Sequence, residues 1–182
     1  MQLKYLDAAN FEEGDLQRKR GWAPRNRRIA VSAANAPGTH SWTCFCLTDL
    51  RNSRGFWLSR VHTGRNNSID FVRFIFDCII CGAIQPGDYI AADNASIHRS
   101  GLSTRITSTL LSFVGARLLF LPSYAPELNP VECVWARVKK YMRNERGPLS
   151  FQTELLLGFL KVDNEMVRSF YRKCLFEYDR YT

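Results

Sequence analysis

The segment from Leu121 to Trp135, LPSYAPELNPVECVW, limits the fold of this chain more tightly than any other stretch. Prolines at 122, 126 and 130 keep the backbone out of a continuous helix or sheet ladder as far as Asn129. There the pattern changes. Asn129 is a helix cap, Pro130 fits the first helical position, and Glu132 stands three residues after the cap. A stiff loop thus delivers a glutamate to the start of a helix. A second acid, Asp93, ends the apolar strand-like run in DYIAADNASIH, 39 positions earlier (132 − 93). Carboxylates held at the ends of rigid elements are the raw material of an oxygen-ligated metal site. Glu132 is equally the residue that would complete a capping box with Asn129, and Asp93 the residue of an ordinary strand-end turn.

With 182 residues, the chain is long enough for one well-packed domain and short for two. No apolar run reaches membrane-spanning length, since FIFDCIICGAI is broken by Asp77 and Gly82. The opening MQLKYLDAANFEEGD lacks a secretion-signal pattern, so an intracellular, soluble protein is expected, in nucleus or bacterial cytoplasm. The chain carries 25 basic and 17 acidic residues, a net charge of +8. Between Leu16 and Thr48 there is no acid, while Arg18, Lys19, Arg20, Arg25, Arg27 and Arg28 crowd the first part of that stretch. Arg137, Lys139, Lys140, Arg143 and Arg146 form a second basic group after Glu132. Such patches suit a phosphate backbone, and Arg25, Arg27, Arg28, Lys139 and Lys140 are the candidate contacts. Of the six cysteines, Cys78 and Cys81 have CxxC spacing without a partner pair, so reduced core thiols are expected rather than zinc.

The order of elements begins with strands. Lys4–Ala8, Arg27–Ala33, Ser41–Leu47 and Gly55–Val61 are strand candidates and together form an antiparallel meander. Helical spacing then takes over from Ser68 to Ala83, with Asn67 or Ser68 as cap. A strand at Asp88–Asp93, a helix at Ser100–Val114, a strand at Arg117–Leu121 and a helix at Pro130–Arg143 follow, and Phe151–Tyr181 has helical character throughout. This order predicts an α/β fold of the ribonuclease-H-like kind: a mixed sheet, antiparallel meander first and parallel strands later, with helices on its faces. The expected division is a ribonuclease-H-like domain over residues 1–145 and a helical extension over 146–182 packed on it. In such a sheet an acid on the first strand, Asp7, would face Asp93; Glu12, Glu13, Asp15 and Asp49 compete for that place.

The pairing of DNASIH at 93–98 with LPSYAPELNPVECVW resembles the catalytic domain of DDE transposases, mariner-like elements and related bacterial insertion sequences above all. RGWAPRNRR resembles the basic hairpin of that family, and the likeness covers roughly residues 1–145. The resemblance implies Asp7, Asp93 and Glu132 as catalytic, metal-binding carboxylates for two Mg2+ or Mn2+ ions. The family often has a second acid after the first, where this chain has Ala8. Asn94, His98 and Asn129 would support the ligands. The implied activity is cleavage of phosphodiesters at transposon ends and transfer of the 3′-hydroxyl into target DNA, by a homodimer, with no small-molecule cofactor and no membrane partner. Family members also carry an N-terminal helix-turn-helix region. Here the first strand candidate begins almost at Met1, so a catalytic piece, truncated copy or retained remnant that binds DNA without end recognition is expected. A ribonuclease-H-like nuclease without strand transfer, or a non-catalytic DNA-binding remnant, are the other outcomes.

Overall fold

Every described strand belongs to one mixed sheet, in the order β3-β2-β1-β5-β6, with β4 also paired to β2. The computed structural model describes residues 2–12, 25–26, 41–58, 61–64, 67–93, 101–123 and 125–176. The strands are β1 (Leu3–Glu12), β2 (Ser41–Thr48), β3 (Phe56–Leu58), β4 (His62–Thr63), β5 (Tyr89–Ala92) and β6 (Arg117–Phe120). The helices are α1 (Ser68–Ile80), α2 (Gly101–Phe113), α3 (Pro130–Asn144), α4 (Phe151–Leu160) and α5 (Asn164–Phe176). β2 runs antiparallel to β1, β3 and β4, whereas β5 runs parallel to both β1 and β6. The α/β, ribonuclease-H-like architecture expected from the element order is the one found.

β1 lies between β2 and β5 with helices on both sides, so its residues are buried on both faces from Lys4 to Leu6. Its pleat divides the core. Tyr5, Ala9 and Phe11 join the cluster made with α3, α4 and α5 through Val134, Trp135, Phe159 and Val167. Leu6 joins the opposite cluster with Phe71, Ile75 and Cys78 of α1 and Leu111 of α2. Asp7 falls in the Tyr5–Ala9–Phe11 series and therefore on the α3 face.

Several elements differ from expectation. β1 has ten residues rather than five, because β2 pairs with it as far as Glu12. Among the described residues, the predicted strand at 55–61 is only the three residues of β3, and β4 follows beyond it at His62–Thr63; each is paired to β2. α1 stops at Ile80; Ala83 and Ile84 are buried in the turn that follows, where Ile84 N–H donates to the Cys78 carbonyl at 3.0 Å. The long terminal helix is two helices, because Val162 is buried in the break and Asp163 caps α5 by accepting from Met166 N–H at 2.8 Å. Gly55 has φ 82°, and a Cβ there would lie 2.8 Å from Val167, so α5 docks on the β2–β3 turn only because this residue is glycine. Cys81 is exposed and Cys133 half-buried, while Cys44, Cys46, Cys78 and Cys174 are core thiols. The predicted strand at 27–33 lies outside the described residues. Among the described residues, no helix is long and apolar enough to cross a membrane.

Candidate active site

Parallel pairing of β1 with β5 fixes the first two acids. Leu6 is the register partner of Ala92, and Asp7 and Asp93 each follow by one residue, just past the same end of that parallel pairing. Asp7 is only 5% exposed. Asp93 is half-buried beyond the last residue of β5. The alternatives for the first acid go elsewhere or lie outside the described residues: Asp49 sits at the opposite end of the sheet, Glu12 is exposed at the far end of β1, and Glu13 and Asp15 are not among the residues described.

Asn129 ties the third acid to the first. Its Oδ1 accepts from Val131 N–H at 3.2 Å and so caps α3, while its Nδ2 donates to Asp7 Oδ2 at 3.2 Å. Glu132 is left out of the cap, since the Asn129 N–H donates to the Pro126 carbonyl at 3.0 Å within a short 3-10 turn (Pro126–Leu128). The contrast with α1 is direct: there Asn67 and Asp70 form a complete capping box, Asp70 Oδ2 accepting from Asn67 N–H at 3.1 Å. The same sequence signature therefore leaves the α3 glutamate exposed at the helix start with its carboxylate available.

A further donor reaches Asp7 from α3. Trp135, one turn into α3, donates its indole N–H to Asp7 Oδ2 at 3.1 Å. Its ring is held edge-on by Phe11 and by Phe159, each at 5.9 Å between centroids. The remaining oxygen, Oδ1, accepts from Ala8 N–H at 2.7 Å. The sequence signal for this bond is only the spacing Asn129-x5-Trp135, which packing explains equally well.

The three acids share one field. Burial, then the charges of Glu132 and Asp93, push the Asp7 carboxyl up to about 7, against the pull of the Ala8 and Trp135 donors. Partial loss of water raises Glu132 as well, with Lys139 opposing and Asp93 adding to the shift. An all-oxygen set of mutually repelling carboxylates fits a hard divalent cation such as Mg2+ or Mn2+, which would relieve that repulsion. Among the described residues, no three His, Cys, Asp or Glu side chains are gathered closely enough to enclose an ion, so the acids converge without closing a cage.

The other predicted residues divide. Lys139 lies over the Phe11 ring at 5.9 Å and within the field of Glu132, while Lys140 is exposed on α3. Arg25 is exposed in a turn next to Asn26, whose φ is 68°. Arg27, Arg28, Asn94 and His98 lie outside the described residues.

A family model described as DDE superfamily endonuclease matches residues 2–155. No curated protein sequence matches the chain significantly. Among solved structures, a pre-cleavage Mos1 transpososome superposes with a TM-score of 0.71 at 13% identity, covering 98% of this chain and 54% of that one. The Mos1 mariner paired-end complex with Mg gives 0.70 at 15% identity, covering 98% and 53%. The catalytic domain of Mos1 mariner transposase gives 0.61 at 14% identity, covering 94% and 76%. The chain thus spans about half the length of the transposase chains in those complexes, and the likeness establishes the fold. With the family model spanning most of its sequence, the chain belongs to the DDE superfamily of endonucleases.

Proposed function

We propose that this chain is the catalytic domain of a DNA transposase, with Asp7, Asp93 and Glu132 as the ligands of two Mg2+ or Mn2+ ions. The observation that carries this reading is the meeting of an acid from β1, an acid following β5 and an acid from the first turn of α3 in one electrostatic field. Divalent cations bound there would supply Lewis-acid stabilisation of a scissile phosphate and a more acidic water. The chain's own residues set the stage. Asp7 is fixed from below by Asn129 and Trp135, Asp93 arrives on the neighbouring strand, and Glu132 projects from a capped helix start. Lys139 and Lys140, with Arg25, Arg27 and Arg28, would hold the DNA backbone without reading its sequence. The two reactions, hydrolytic nicking at a transposon end and attack of the freed 3′-hydroxyl on target DNA, use the same carboxylates and need no covalent protein intermediate. Action on paired ends calls for a homodimer.

The test compares wild type with Asp93→Asn on a transposon-end duplex in Mg2+ or Mn2+, and on a precut 3′-hydroxyl end with a target plasmid. Nicking and joining by the wild type alone, abolished by EDTA, are expected. Equal nicking by both proteins overturns the site. Nicking without joining replaces the transposase with a nuclease of the same fold, and DNA binding without metal-dependent cleavage replaces it with a non-catalytic remnant.

A further inference from the structure

We infer that Trp135 is a positioning residue for Asp7: its indole N–H, together with the Asn129 carboxamide, occupies Oδ2 and reserves Oδ1 for a metal ion. The inference rests on the metal-site reading above and specifies how that site is built.

A carboxylate has about four lone-pair positions, two on each oxygen. Oδ2 of Asp7 accepts from both Trp135 Nε1 and Asn129 Nδ2, so both of its positions are engaged. Among the described residues, Oδ1 accepts from Ala8 N–H alone, which leaves one position open. Two donors on one oxygen and one on the other fix the plane and rotation of the group.

That restraint acts against a real force. Glu132 and Asp93 both repel the Asp7 carboxylate, and a free side chain would relieve the repulsion by rotating. The indole is suited to resist it. It is a neutral, donor-only group, so it holds an anion without supplying the positive charge that would compete with a metal ion. It is also immobile, because Phe11 of β1 and Phe159 of α4 close on its two sides. Phe11 and Phe159 in turn meet each other at 5.9 Å, which completes an aromatic triangle beneath Asp7. Orientation is therefore passed from the α4 side of the core, through Trp135, to a single carboxylate oxygen. Partners of this kind behind a metal ligand typically govern affinity by about 10–100-fold.

The test replaces Trp135 with 3-benzothienylalanine, which keeps the bicyclic shape and the aromatic contacts but has no N–H, and with Trp135→Phe. Mn2+ affinity of the purified chain is measured by calorimetry alongside wild type and Asp7→Asn. The benzothienyl protein is expected to unfold at the wild-type temperature yet bind Mn2+ roughly tenfold or more weakly. The half-saturating Mg2+ for nicking should rise by the same factor, with the rate recovering as Mg2+ is raised. A purely structural role would lower the unfolding temperature of Trp135→Phe and leave the isosteric protein's Mn2+ affinity at the wild-type value; that affinity overturns the inference. If Asp7→Asn binds Mn2+ as wild type does, the metal-site reading itself fails; if Asp7→Asn loses binding and the isosteric protein keeps it, only the role of Trp135 falls.

Discussion

The two ends of the β1–β5 pairing are built from the same materials and do opposite things. At one end Asp49 and Asp88 surround Lys4, whose Nζ is 3.2 Å from a carboxylate oxygen of each and also donates to the Ala83 carbonyl. Arg51 adds a second cation, 2.7 Å from Asp88. At the other end Asp7 meets Asp93 and Glu132. Each end even has its own tryptophan: Trp57 donates to Asp49 at 3.0 Å as Trp135 donates to Asp7 at 3.1 Å. What differs, among the described residues, is a cation paired with the buried aspartate: Lys4 for Asp49 and Asp88, none for Asp7. Burial pushes Asp49 and Asp88 upward, but hydrogen bonds and Lys4 outweigh it and leave both carboxyls below the ordinary carboxylate value. Burial pushes Asp7 upward with its two neighbouring acids reinforcing the effect. One end carries its counter-ion in the sequence and is a clasp. The other, among the described residues, gives Asp7 no Lys or Arg partner, and that is the physical content of the metal-site proposal.

The largest effect on this comparison comes from emptying the clasp. Lys4 is fully buried, so Lys4→Met leaves Asp49 and Asp88 with Arg51 alone and should destabilise the chain by about 3–5 kcal/mol. Thermal unfolding should fall on the order of 10 °C, while Mn2+ affinity of the folded protein stays at the wild-type value. Loss of Mn2+ affinity without loss of stability would reverse the roles assigned to the two ends.

Next in size is the response to pH. The Asp7 carboxyl is raised from 3.8 to about 7, so the folded state holds its proton more tightly than the unfolded chain does; its contribution is full below about pH 4 and is lost as pH rises to 7. Asp49 and Asp88 are lowered, so theirs is present above about pH 4 and is lost as pH falls through their folded values. A cation competes with the proton for Asp7. Added Mg2+ should therefore stabilise strongly at pH 8, by about 2.7 kcal/mol at a hundredfold excess over its Kd, and little at pH 5. Urea unfolding at both pH values checks this; an equal Mg2+ effect would place the ion away from Asp7.

The smallest effects separate the two asparagine caps. Asn67→Ala should cost about 1 kcal/mol through the lost cap and leave Mn2+ binding alone. Asn129→Ser keeps a capping hydroxyl but loses the donor to Asp7, so stability should hold while Mn2+ affinity drops roughly tenfold. Unfolding and calorimetry on both variants sharpen the distinction between a cap and a cap that also serves the site.

These differences also show where sequence reasoning reaches. The order of strands and helices and the cap at Asn129 follow from periodicity and turn chemistry, which are local, whereas the placing of Asp7 beside Asp93 follows only from the sheet topology which that order implies. The Lys4 clasp was not legible, because Lys4, Asp49 and Asp88 are far apart in the chain and each is an unremarkable charge until the sheet forms. The indole bond to Asp7 was hidden for another reason: tryptophan at a helix start packs identically whether or not its N–H has a partner. The break between α4 and α5 was missed because it has no glycine or proline, although Asp163 before Asn164 and Glu165 is a cap signal. Tyr141 and Glu154 form a further buried pair at 2.9 Å that no motif announces.

The central claim is that Asp7 is held ready to bind a divalent cation, and direct titration with Mn2+ tests it. Wild type at pH 8 should bind Mn2+ with release of the proton bound to Asp7 in the fraction still protonated, and Asp7→Asn, folded by circular dichroism, should bind at least tenfold more weakly. Binding by Asp7→Asn with wild-type affinity would contradict the account.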